Sequence, residues 1–183
     1  GYKASDTSEL FFEDVRVPVS NLLGQEGRGF YQLMTELAQE RLVQAVRGVA
    51  ATEAMLQWTI DYTANRAAFG HTIADFQNTQ FTLAALHAEI SLNRVFVDRC
   101  IELHLDKQLK AEDAAIAKMQ STELQCKVAD QCLQFFGGWG YVWEMPIARA
   151  YADARMTRIG GGSIEVMKQI IARAIFKDAG KTR

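Results

Sequence analysis

Gly160-Gly161-Gly162-Ser163 stand directly before an apolar-periodic stretch that opens at Ile164. Backbone N–H groups at the start of a helix can hold an anion. The same run is also an ordinary turn with Ser163 as helix N-cap. Glu40 is the acid with a chemical context. It follows Leu37 by three positions and Leu33 by seven, so a helix sets all three on roughly one face. A carboxylate on an apolar stripe is costly to ionise, which suits a base working at neutral pH. Glu36, one turn earlier, adds like-charge repulsion. Arg41 is the next residue and projects about 100° away around the helix. The alternative is that Glu40 lies on a solvated face. Other chemistries find no support. None of His71, His87 and His104 follows a glutamate by three residues, as a di-iron bundle requires. There is no zincin, nucleophile-elbow or phosphate-loop motif. Cys100, Cys126 and Cys132 form no closely spaced pair, so they read as buried thiols of a reducing compartment, with no metal site expected.

These residues need rigid elements to hold them. The chain has 183 residues, 49% of them hydrophobic and 23% charged, which suits one domain or one domain plus a remnant of another. With Lys+Arg at 20 against Asp+Glu at 22 and a net charge of −2, no basic excess exists for nucleic acid. No apolar run approaches the ~20 residues of a membrane span. The prolines are Pro18 and Pro146, and between Phe30 and Phe136 the glycines are Gly48 and Gly70; so few breakers favour long helices. The spacing predicts a strand or extended arm over 9–19 and a glycine-rich hinge over 24–29. Helices follow over 30–68, with Phe30, Leu33, Leu37, Val49, Leu56 and Ile60 on one face, and over 78–105, with Leu83, Leu86, Ile90, Val97 and Ile101. A third runs from after Lys110 to Gly137-Gly138, which make a C-terminal stop. Shorter helices over 147–158 and 164–177 complete an all-α, up-and-down helical bundle with a short strand-like arm.

Read together, the motifs are specific. Ser5-Asp6-Thr7-Ser8-Glu9-Leu10 precedes Phe12-Glu13-Asp14-Val15-Arg16-Val17-Pro18, then Asn21-Leu22-Leu23-Gly24 and Gly27-Arg28-Gly29-Phe30. Arg66-Ala67-Ala68-Phe69-Gly70 leads to Phe76-Gln77. Gln134-Phe135-Phe136-Gly137-Gly138-Trp139-Gly140-Tyr141 is followed by Tyr151-Ala152-Asp153-Ala154-Arg155 and Arg158-Ile159-Gly160-Gly161-Gly162-Ser163. In order and spacing the chain resembles the C-terminal part of the flavin-dependent acyl-CoA dehydrogenases. The resemblance implies that residues 1–24 are the end of a middle β-domain and 25–183 the C-terminal helical bundle. It implies oxidation of an acyl-CoA thioester to the trans-2-enoyl-CoA, with a carboxylate taking the α-proton and the β-hydrogen leaving as hydride to FAD.

Many members of that family carry the catalytic glutamate between an aromatic residue and Gly-Thr, before the last helix. Here those positions are Gly160, Gly161, Gly162 and Ser163. A minority, resembling the long-chain and isovaleryl-type enzymes, place it in a Glu-Arg-Leu context on the first long helix, as Glu40-Arg41-Leu42 does. The resemblance therefore makes Glu40 the base, with Gly161 leaving it room. It assigns Arg66 and Gln77 to the flavin pyrophosphate, Gln134, Phe135, Phe136, Gly137 and Gly138 to its adenosine-diphosphate cradle, and Ser163, Ile164 and Glu165 to its adenosine half. Tyr31, Ala38, Gln39, Arg41, Gly160 and Gly161 become substrate-lining positions. Trp139 and Tyr141 read as packing aromatics. Glu40 and Arg66 are 26 positions apart, about 39 Å along one helix at about 1.5 Å per residue. They would thus serve different flavins, in a homodimer or homotetramer. An electron-transferring flavoprotein is the implied partner, and the cytoplasm, or the mitochondrial matrix in a eukaryote, the implied location. Two alternatives stand beside this: an inactive oligomerisation module, and an oxidase or monooxygenase of the same fold.

Overall fold

The computed structural model describes residues 2, 3 and 5–178. Helices α1 (Gly29–Asn65), α2 (Gln77–Leu105) and α3 (Ala111–Phe135) form the long rods, and α4 (Pro146–Thr157) and α5 (Ile164–Asp178) pack on them. The predicted helices are all present, with ends moved by a few residues. Pro146 opens α4, where its fixed φ costs nothing. Helix α1 stops at Asn65 because a small hairpin follows, β1 (Ala67–Ala68) pairing antiparallel with β2 (His71–Thr72). Its two turn residues, Phe69 and Gly70, lie at φ 55° and 83°, the left-handed pair a type I′ turn demands. A phenylalanine is a poor signal for that geometry, so the sequence pattern ran the helix through it. The arm over 9–19 forms no strand. It is exposed from Ser5 to Gly24, bent where Asp14 takes φ 49° and coiled into a short 3-10 turn at Val19–Asn21, because a lone strand has no neighbour to complete its hydrogen bonds.

Helix α3 lies at the centre. Ala114, Ala117, Ser121, Thr122, Val128 and Cys132 are each fully buried. Small side chains let α1 approach closely. A Cβ at Gly48 would sit 3.1 Å from the Ser121 carbonyl oxygen, so the crossing is built on a missing side chain. One apolar cluster joins Met55, Leu56, Leu86, Ile90, Val128 and Ile147; another joins Leu42, Ala45, Val49, Val97 and Cys100. Thr52, Thr59 and Thr63 sit inside this core at 0% exposure. Their hydroxyls donate to the Val49, Met55 and Thr59 carbonyls of their own helix at 2.6, 2.7 and 2.8 Å, which satisfies them without a partner helix. Cys100, Cys126 and Cys132 are free thiols, and burial raises the pKa of each. The first turns of α1 differ from the expected stripe: Phe30 and Leu33 are each 67% exposed.

Candidate functional site

Two separate regions carry the candidate residues, one near the start of α1 and one at its end. Near the start, Glu36, Gln39, Glu40, Val43 and Gln44 line an open cleft of about 330 Å³. Glu40 is exposed, contrary to the expected apolar stripe: Leu33 beside it is bare and Leu37 half-buried. Gln44, one turn further along the same face, reaches the glycine turn. A Cβ at Gly161 would lie 3.4 Å from Gln44 Cγ. Glu40 and Gln44 thus line one cleft along α1, and Gln44 is the residue of that cleft that meets the triple-glycine turn.

The turn itself has Gly161 at φ 67° and Gly162 at φ 98°, values that only glycine adopts freely. The space a Gly160 side chain would need is taken by the tip of Met156, 2.9 Å away. Ser163 opens α5: its Oγ accepts the Val166 N–H at 3.5 Å and its carbonyl the Met167 N–H at 3.0 Å. A backbone N–H and the Ser163 hydroxyl hold the Glu165 carboxyl below its ordinary value. Ile164 is only 4% exposed, so its side chain serves the core rather than a ligand. Arg41 is buried too, at 8% exposure, with Nε lacking a hydrogen-bond partner among the described residues. Burial lowers its pKa, while the neighbouring Glu40 charge raises it. Tyr31 is exposed under a stacked Arg28 guanidinium 4.1 Å from its ring centre, and Ala38 is half-buried.

At the other end of α1, Tyr62, Arg66, Phe135, Phe136, Gly137, Gly138 and Trp139 line a pocket of about 560 Å³. Five of the residues expected at the cofactor are thus brought together. Gln134 lines the adjoining pocket with Phe135. Gln77, the first residue of α2, is exposed and outside the Arg66 pocket lining. Phe136 is 5% exposed and stacks on Tyr62, ring centres 4.3 Å apart, so it is a wall packed from behind. Trp139 and Tyr141 are 57% and 86% exposed, not packed as expected.

The sequence profile described as "Acyl-CoA dehydrogenase, C-terminal domain" matches residues 27–176. This chain belongs to that family. It is similar to the mitochondrial long-chain specific acyl-CoA dehydrogenase of Sus scrofa, 53% identical over 178 residues, covering 97% of this chain and 41% of that protein. The solved acyl-CoA dehydrogenase of Geobacillus kaustophilus is 45% identical with a TM-score of 0.87, covering 90% of this chain and 43% of that one. A chain from the structure titled as the electron transferring flavoprotein of Acidaminococcus fermentans is 34% identical with a TM-score of 0.87, covering 91% and 44%. The chain spans about two-fifths of the length of the curated relative.

For a domain of this family, the Arg66 pocket fits part of a flavin dinucleotide. A Cβ on Gly137 or Gly138 would meet nothing within 4 Å, so their backbone is open to a ligand, and the exposed Arg66 cation stands on the same wall. Exposed backbone beside a guanidinium suits a pyrophosphate. No group of His, Cys, Asp and Glu among the described residues is arranged to hold a metal, and none of the described helices is long and apolar enough to cross a membrane. Sequence reading missed Gln44, Tyr62 and Lys118. Gln44 carried a faint signal, a polar residue one turn from Glu40. Lys118 carried none: its run Ala114-Ala115-Ile116-Ala117-Lys118 reads as a charge leaving an apolar face.

Proposed function

We propose that this chain is the C-terminal helical domain of an FAD-dependent acyl-CoA dehydrogenase in which Glu40 is the catalytic base. The observation that supports this best is the open cleft along α1 beside the glycine turn. Glu40 lines it together with Gln44, and Gln44 Cγ lies 3.4 Å from where a Cβ would stand on Gly161, the position at which the resemblance puts an acid in other members. One Glu40 carboxylate oxygen takes the proton from the carbon next to the thioester carbonyl. The glycine turn leaves space for that carbon and offers backbone donors toward the thioester oxygen. Bound flavin supplies the acceptor for the β-hydride. An exposed Glu40 fits an open cleft that substrate and a preceding domain close over, drying the carboxylate as they arrive. Residues 1–24 belong with that preceding β-domain in this reading. Their apolar side chains, among them Phe11 at 86% and Phe12 at 77% exposure, find no cover on the bundle.

Arg66 with Gly137 and Gly138 would hold the pyrophosphate of the flavin used by a second copy, because α1 separates them from Glu40 by about 39 Å. The working form is then a homodimer or homotetramer. A long-chain acyl substrate is supported by the likeness to the pig enzyme. An electron-transferring flavoprotein as electron acceptor, and a mitochondrial or cytoplasmic location, follow from the family reading. The test is Glu40→Gln in the complete polypeptide that carries this sequence. The rate should fall on the order of 10²–10⁴-fold with flavin content unchanged; an undiminished rate removes Glu40 from the role. Oxygen consumption by the reduced protein separates a dehydrogenase from an oxidase or monooxygenase. Failure of the isolated chain to turn yellow with FAD is expected, as half of each flavin site lies elsewhere.

A further inference from the structure

The glycine turn that meets Gln44 is the part of the site with the fewest side chains to hold it. Gly160-Gly161-Gly162 have no side chains to lock them, and each glycine carries more conformational freedom than any other residue. The tips of Met156 and Met167 lie where side chains on Gly160 and Gly162 would begin, 2.9 and 2.7 Å away, but thioethers are adaptable packing. Among the described residues, one side chain from another helix hydrogen-bonds this turn. Lys118 of α3 donates from Nζ to the Gly162 carbonyl at 2.6 Å.

Lys118 is 0% exposed and has no ion-pair partner among the described residues. Burial pushes its ammonium below the ordinary lysine value, the Arg41 cation adds to that, and Glu165 opposes it. An apolar side chain in the same space is commonly as good for stability as a buried charge, or better. What an apolar side chain cannot give is a short, charge-assisted bond that fixes one carbonyl. In a trans peptide the N–H points opposite the C=O. Holding the Gly162 carbonyl toward α3 therefore turns the Ser163 N–H away from α3, at the free-donor end of α5.

We infer that Lys118 is a positioning residue for the reaction at Glu40: its ammonium clamps the Gly162 carbonyl and so fixes the glycine turn against the Glu40–Gln44 face of α1. The inference rests on the reading of Glu40 as base, and its test separates the two. In Lys118→Met of the complete polypeptide, amide hydrogen exchange over 160–166 should accelerate at least tenfold while α1 and α3 stay protected. In the same flavin-loaded protein, kcat should fall at least tenfold with KM and flavin content unchanged. Lys118→Arg, which keeps a cationic donor, should lie between wild type and Lys118→Met in both measurements; it also stands in where the methionine variant does not fold. An unloosened turn overturns the proposal. So does a loosened turn with undiminished kcat, or a loss of rate that matches lost flavin. If Glu40→Gln retains its rate while Lys118→Met loosens the turn, the base assignment fails and the clamp stands as structure alone.

Discussion

Helix α1 contains two regions with the same sequence signature and opposite fates. From Arg41 to Thr63 its inward residues are closed over by α3 and α2: Ala45, Val49, Met55 and Thr59 are at 0% exposure. From Gly29 to Glu40 the apolar spacing continues, yet Phe30, Tyr31, Leu33 and Met34 stand in the open. The difference teaches that periodicity specifies a helix and a face but not the body that covers the face. In the closed region the cover is small residues of α3 meeting Gly48. In the open region the cover, on the reading above, is substrate and another domain. The proposed role of Glu40 as base uses this openness. A catalytic acid on the closed half of α1 would have no substrate to meet.

The comparison can be broken most sharply at Glu40. Because its side chain is exposed, Glu40→Gln should leave helix content and melting temperature unchanged while activity of the complete polypeptide drops on the order of 10²–10⁴-fold. A large loss of stability would mean that the open region is part of the folded core. Next in size is a paired truncation. Met55→Ala should lower the unfolding free energy by about 2–5 kcal/mol, whereas Leu33→Ala in the isolated chain should change it by less than about 0.5 kcal/mol. Denaturant titration reads both, and equal losses would erase the distinction between the regions.

Lys118 gives a pH signature. Its folded pKa is lowered, first by burial and then by Arg41 of α1, against Glu165 of α5. Below the folded value both folded and unfolded states hold the proton, so the full penalty of a buried cation applies. As pH rises through the folded value toward the unfolded one of about 10.4, the unfolded chain binds more protons and stability returns. The melting temperature of wild type should therefore rise relative to Lys118→Met across that alkaline window. A constant difference between the two would show that the lysine is not penalised. The smallest effect belongs to the α1–α2 surface. Arg94 donates to Glu53 from Nε at 2.8 Å and from Nη2 at 2.5 Å, with side chains 30% and 45% exposed. Glu53→Gln should cost about 0.2–1 kcal/mol and less at high salt; a salt-independent loss would mark a desolvated pair.

Much of the helical frame was legible because its signals are local. Stripes such as Leu86, Ile90 and Val97 and the breaker-poor run through α3 need no knowledge of a partner. The hairpin after Asn65 was not legible, because a turn that places Phe69 at positive φ is stabilised by its surroundings and not by its residue type. The arm over 9–19 misled for the opposite reason: its strand-like residues are real, but a strand exists only with a neighbour. At the Arg66 pocket, residues flagged by motif do converge, since Arg66 ends one helix and Gly137-Gly138 end another that packs on it. Ile164 fell to the core because α5 starts with its first turn pressed on the bundle.

Composition, helical periodicity and the positions of glycine and proline determined by themselves that this chain makes long antiparallel rods, and the Glu-Arg-Leu context singled out one acid among many. Tertiary structure alone decided that Gln44, one turn from that acid, meets the glycine turn, and that Arg41 and Lys118 are buried. The physical reason is that a helix reports its own face within one turn of sequence. Which groups meet across helices depends on packing between residues separated by many tens of positions, such as Lys118 with Gly162.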